Sequence, residues 1–142
     1  MPDVLKQQFN VNADDFISAG AASAAVKKTL KQLGFSPDII RRTSIAMYEG
    51  EINVVIHGGG GVAEAEIAED YVKITLKDEG PGIADISLAM KEGFSTASDS
   101  VRELGFGAGM GLPNIKKQSD EFDITSEVGV GTTLVIKIYS GA

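Results

Sequence analysis

Five stretches of the chain have strand character: Val4 to Val11, Val62 to Ala68, Tyr71 to Lys77, Phe122 to Glu127 and Thr132 to Tyr139. In the third, Val72, Ile74 and Leu76 alternate with Lys73, Thr75 and Lys77, the period of two expected when one sheet face is buried and the other wet. The acidic turn Glu69-Asp70 joins the second and third stretches into an antiparallel hairpin, and Gly129-Val130-Gly131 separates the last two. Helical periodicity appears elsewhere. An alanine-rich run from Asp14 to Leu33 carries Phe16, Ile17, Ala21, Ala24, Ala25 and Leu33 on one stripe, with Asp14 as N-cap and Gly34 where a C-terminal glycine is favoured. A second helix starts at the cap Ser36, takes Pro37 in its first turn, and runs to His57 on Ile39, Ile40, Ile45, Met47, Ile52, Val55 and Ile56. Gly58 to Gly61 end it. A short helix is predicted from Asp85 to Met90 and another from Pro113 to Ser119. Between them, Lys91 to Leu104 is polar, small and aperiodic, which predicts a loop, with capping-box spacing at Ser100 and Glu103. Helices come early and strands mostly late, so an α+β layer with helices on one sheet face fits better than a doubly wound parallel sheet.

The 142 residues suit a single domain, 1–142, which at this size buries roughly 70% of the surface of its unfolded chain. Apolar stretches are broken by charges before membrane-spanning length, and no hydrophobic signal segment opens the chain, so a cytoplasmic protein with no membrane partner is expected. Absence of cysteine excludes disulfides and thiolate chemistry, and one histidine is too few for a multi-histidine metal centre. Chemistry is left to carboxylates, amides and backbone. A net charge of −7 without a basic cluster argues against nucleic acid and for a protein or small-molecule partner.

Three clusters carry candidate chemistry. Gly105, Gly107, Gly109 and Gly111 recur every second residue in GFGAGMG, which is neither the dinucleotide fingerprint nor a Walker A loop. Such a backbone can present N–H groups and a helix N-terminus to a phosphate, or serve as a hinge that caps a helix. Glu49 and Asn53 are four residues apart on the second helix and so share a face, which His57 continues. Glu49 suits a proton acceptor and Asn53 a hard oxygen ligand for Mg²⁺, while a solvated polar face is the alternative. Gly50 weakens that helix by about 1 kcal/mol relative to alanine, and close packing on the sheet is one reason to tolerate it. Asp78 ends a strand before Gly80-Pro81-Gly82, where its carboxylate can accept from an adenine amino group while the glycines admit a flat base; a simple turn has the same composition. Thr132 and Thr133 either bond the purine or start a β-branched strand.

Taken in order, Glu49…Asn53, Asp78-Glu-Gly-Pro-Gly82, Gly105 to Leu112 and Gly131-Thr132 resemble the N box and glycine boxes of the gyrase, Hsp90, histidine-kinase and MutL ATPase superfamily, over roughly Ser44 to Ile138. The resemblance implies a two-layer α/β sandwich of the Bergerat type, with helices on one face of a mixed, mostly antiparallel sheet. Chain length and the stretch DEGPGIADISLAMKEGFST resemble the anti-sigma-factor and stressosome switch serine kinases. From this follow the expected cofactors, ATP and Mg²⁺, and the expected activity, phosphorylation of a serine on a small antagonist protein. A sigma factor or phosphatase regulator is the second partner, and a homodimer is compatible. Residue by residue, the resemblance makes Glu49 the general base, Asn53 the Mg²⁺ ligand and Asp78 the adenine contact. Gly80 and Gly82 support the base, Gly107, Gly109 and Gly111 cradle the phosphates from a lid at about 91–111, and Thr132 faces the adenine side. His57 falls near the nucleotide, and Arg102 is a candidate for neutralising phosphate charge. The alternative is an ATP-binding module that sequesters or activates a regulator without kinase turnover.

Overall fold

The computed structural model describes residues 4–12, 20–56, 60–80 and 111–140. Along the chain these form β1 (Leu5–Val11), α1 (Ala21–Gln32), α2 (Pro37–Ile56), β2 (Gly61–Ile67), β3 (Tyr71–Asp78), α3 (Gly111–Gln118), β4 (Glu121–Glu127) and β5 (Gly131–Tyr139). The strands make one sheet in the order β1-β2-β3-β5-β4, antiparallel at every pairing described. The alternation sorts its two faces as predicted. Val72, Ile74 and Leu76 are buried with Ala63, Ala65, Ile67, Leu134, Ile136 and Ile138, whereas Lys73, Thr75 and Lys77 fall on the wetter face. The helices lie on the buried face, α2 across β3 and β5 and α1 beside it. Full burial of each such Leu, Ile or Val side chain contributes about 1.5–3 kcal/mol, so this one seam is the core.

Helix ends follow local chemistry where the sequence supplies it. Ser36 Oγ accepts from the Ile39 N–H at 3.3 Å and caps α2. At the other end of the preceding helix, Gly34 takes φ +81°, the Phe35 N–H donates to the Leu30 carbonyl at 3.1 Å and the Gly34 N–H to that of Lys31 at 3.2 Å, the full Schellman arrangement. The start of α1 departs from expectation. Gly20 has φ +97°, so no right-handed helix runs through it and α1 begins at Ala21 rather than at Asp14, which lies outside the described residues. The high helix propensity of alanine is overridden at one left-handed glycine. The predicted helix 85–90 and the 91–104 loop also lie outside the described residues.

Gly50 is buried in α2, and a Cβ there would stand 2.6 Å from Leu76 Cδ1 on β3. Close packing on the sheet is therefore the reason a glycine interrupts this helix. Gly50→Ala is expected to destabilise the fold by about 1–3 kcal/mol through overpacking, despite a gain of about 1 kcal/mol in helix propensity. Urea unfolding checks it, and Leu76→Val in the same background should recover part of the loss.

Candidate nucleotide site

The packing of Gly50 on Leu76 brings the middle of α2 over the far end of β3. Two residues beyond Leu76, about 6.6 Å along the strand, is Asp78. Its carboxylate is buried, and its Oδ1 accepts from the Gly80 N–H at 3.0 Å and from the Thr132 N–H at 3.0 Å. The first bond is a local Asx turn; the second ties the end of β3 to the start of β5. Both bonds that the carboxylate makes among the described residues fall on Oδ1, leaving Oδ2 for another donor.

The backbone of Asp78 is boxed in from both sides. On one side is Gly61, its partner on β2, where a Cβ would meet Lys77 O at 2.1 Å and Asp78 Cα at 2.8 Å. On the other is Gly131, where a Cβ would meet Asp78 O at 2.1 Å. The sequence treats Gly58 to Gly61 as one helix terminator, yet the last two do separate things: the Gly60 N–H donates to the Val54 carbonyl at 3.4 Å, in the last turn of α2, and Gly61 makes room for β3. Thr132 is buried, and its Oγ1 lies 2.9 Å from Ser126 Oγ on β4. Asp78, Gly80 and Thr132 thus meet at one end of the sheet.

Glu49 and Asn53 are half-buried on one flank of α2. Burial pushes the Glu49 carboxyl above its ordinary value of 4.5, which makes its ionised form a stronger base than an exposed glutamate. Gly111 is the first residue of α3, which starts two residues earlier than Pro113. The far end of α3 is pinned: Arg42 Nε donates to the Gln118 carbonyl at 3.0 Å and its Nη2 to Asp120 Oδ1 at 3.1 Å. Asp120 Oδ2 accepts from the Tyr139 N–H at 2.8 Å. That backbone bond, with help from Arg42, holds the Asp120 carboxyl below its usual 3.8. His57, Gly82, Arg102, Gly107 and Gly109 lie outside the described residues.

Sequence reasoning passed over Glu51. This carboxylate is 2% exposed and accepts three backbone N–H bonds at the start of α1, from Gly20 at 2.9 Å and Ala22 at 3.2 Å on Oε2, and from Ser23 at 3.0 Å on Oε1. A signal was present: on a helical wheel Glu51 adjoins Met47, Val54 and Val55, an apolar neighbourhood for an acid.

The chain belongs to the histidine kinase-, DNA gyrase B- and HSP90-like ATPase family, whose model matches residues 22–141. It is therefore an ATP-binding domain. Within that family it is 35% identical over 118 residues to the serine/threonine-protein kinase RsbT of Bacillus subtilis, a match covering 80% of this chain and 83% of that one. The anti-sigma F factor of Clostridium beijerinckii is 35% identical over 122 residues, covering 82% of each. Among solved structures, SiaB in the SiaB-SiaC complex of Pseudomonas aeruginosa is similar in fold, with TM-score 0.66 and 15% identity over 95% of this chain and 89% of that one. So is the structure of the RsbU and RsbW domains of a Mycobacterium tuberculosis protein, with TM-score 0.64 and 18% identity, covering 94% of this chain and 32% of that one. Among the described residues no helix is long and apolar enough to cross a membrane.

Proposed function

We propose that this chain is an ATP-dependent serine/threonine-protein kinase of a partner-switching pathway, acting as a single domain on a serine of a small antagonist protein. The observation that carries the reading is the Asp78 corner: a buried carboxylate with one oxygen occupied by backbone N–H groups and the other left for a donor, its main chain held in place by close packing against Gly61 and Gly131. The remaining oxygen suits the edge of an adenine, whose exocyclic amino group needs one acceptor. The names of its relatives, a serine/threonine kinase and anti-sigma factors, supply the substrate class.

Asn53 is the residue to hold Mg²⁺. Among the described residues no cluster of three His, Cys, Asp or Glu side chains forms a metal site, and Mg²⁺ ordinarily takes one or two protein ligands and completes its shell with phosphates and water. Bound there, the ion neutralises phosphate charge. Glu49 accepts the proton of the incoming serine hydroxyl as the serine oxygen bonds to the γ-phosphorus and the bond to the leaving ADP oxygen breaks. The rest is alignment, supplied by α2 on one side and the N-terminus of α3 on the other. The second partner is a regulator exchanged when the antagonist is phosphorylated, and a homodimer is compatible with this scheme.

The test is transfer of labelled γ-phosphate, with Mg²⁺, to a small antagonist-type protein. Label should appear on one serine and vanish when that serine is alanine. Tight ATP binding with no label on any partner would overturn the kinase reading in favour of a binding module.

A further inference from the structure

Around a single turn of α2, three side-chain positions face three different structures. Gly50 faces Leu76 on the sheet, and Glu49 with Asn53 occupies one flank. Glu51, two residues from each of them, is turned from both by about 200°, and its carboxylate is bonded to α1. Helix α1 has no side-chain cap of its own: its N-cap is Gly20, and its free N–H groups are satisfied from a residue 28 to 31 positions away. A Ser or Asn beside the helix would have capped it with no buried charge. A carboxylate brought in from α2 costs desolvation, which the three bonds and the helix dipole offset, and it links two helices where a local cap would link none.

We propose that Glu51 is a positioning residue: bonded to three backbone N–H groups at the start of α1, it fixes the rotation of α2 about its own axis and so aims Glu49 and Asn53 at the Asp78 end of β3. Gly50 sets the depth at which α2 lies on the sheet, and Glu51 sets its angle. With the carboxylate replaced, the helix keeps its hydrophobic seat but can roll, and the flank bearing Glu49 opens to water. The proposal rests on Glu49 and Asn53 having the roles given above, and its test has one arm that does not.

The test compares wild type, Glu51→Gln and Ile138→Val, the last a truncation at a fully buried site on β5, four residues along the strand from the partner of Leu76, that serves as a stability control. Glutamine keeps the size of the side chain but turns one acceptor into a donor facing N–H groups. Well below the melting transition, E51Q should lower kcat for phosphotransfer by about 10- to 100-fold, the effect of a slight misplacement of reacting groups, with KM for ATP little changed. I138V should lower the melting temperature and leave kcat alone. The second arm follows the Glu49 carboxyl by side-chain carbon NMR against pH. In E51Q its titration midpoint should fall toward 4.5 as the group gains solvent, and in I138V it should stay where it is in wild type. If wild type transfers no phosphate, the kinase reading has failed, and the titration alone still decides the role of Glu51. An E51Q protein with wild-type kcat and an unmoved Glu49 midpoint overturns the proposal. Should E51Q not fold, Glu51→Asp, which keeps the charge but is one methylene shorter, takes its place under the same two readouts.

Discussion

Glu49→Gln is expected to leave ATP bound while lowering phosphotransfer by about 10²- to 10⁴-fold, the usual contribution of a positioned general base. Glutamine fills the same volume and keeps the polarity of the flank, so nucleotide affinity measured by calorimetry should change little. What it cannot do is accept a proton. Because burial raises the Glu49 carboxyl above 4.5, transfer by the wild type should fail on acidification at a pH above that of an ordinary glutamate. The same shift carries a stability effect with a definite sign. A carboxyl raised in the folded state is stabilising below its unfolded pKa and loses that contribution as pH rises through the folded one, because the ionised form is then held out of water. At pH 7, E49Q should therefore be slightly more stable than wild type, by less than about 1 kcal/mol for a half-exposed group, and the gain should disappear below about pH 4.5. A variant that is inactive and less stable at pH 7 would indicate a structural role for the carboxylate.

Asp78→Asn should have the second large effect, on binding. Asparagine retains Oδ1, so the bonds from the Gly80 and Thr132 N–H groups survive and the corner keeps its shape. The other oxygen becomes an amino group, which would face the adenine amino group donor to donor. Loss of a charge-assisted bond there corresponds to about 1.5–3 kcal/mol, or roughly 10- to 100-fold in the Kd for ATP. Asp78→Ala should lose ATP too, but it also strands the two N–H donors, one of them on the buried Thr132, and should melt at lower temperature than D78N. Calorimetry and thermal melting on the pair separate the contact from the scaffold. Equal ATP affinity in D78N and wild type would remove Asp78 from the base-binding role.

Much of this architecture was legible in the order of residues. The alternation through Val72, Ile74 and Leu76 marks the buried face of β3, Ser36 and Gly34 mark real helix ends, and the glycine at 50 signals the close packing on Leu76. These features are local: a period, a cap or a missing side chain is written in a few consecutive residues. The features that escaped are relations between distant segments. No local rule breaks the helix at Gly20; its left-handed turn goes with contacts to distant residues, the Tyr48 ring 2.9 Å from where a Cβ would be and the Glu51 carboxylate on its N–H. Glu51 was hidden by its neighbours, since Glu49 and Asn53 drew the polar residues of EGEIN to one flank while the acid between them faces another helix. The N–H of Thr132 on Asp78 joins positions 54 apart, which no spacing rule reaches.

The glycines that flank Asp78 limit how this site can diverge. A substituent at 61 or 131 would collide with main chain, and main chain has no rotamer with which to yield. Drift and selection therefore have almost no neutral steps available at these two positions, and under the proposed base-binding role of Asp78 a change in nucleotide preference has to come from side chains around it, such as Thr132 and its neighbour Ser126. An engineer seeking an altered-base variant of this chain should randomise those positions and leave Gly61 and Gly131 alone.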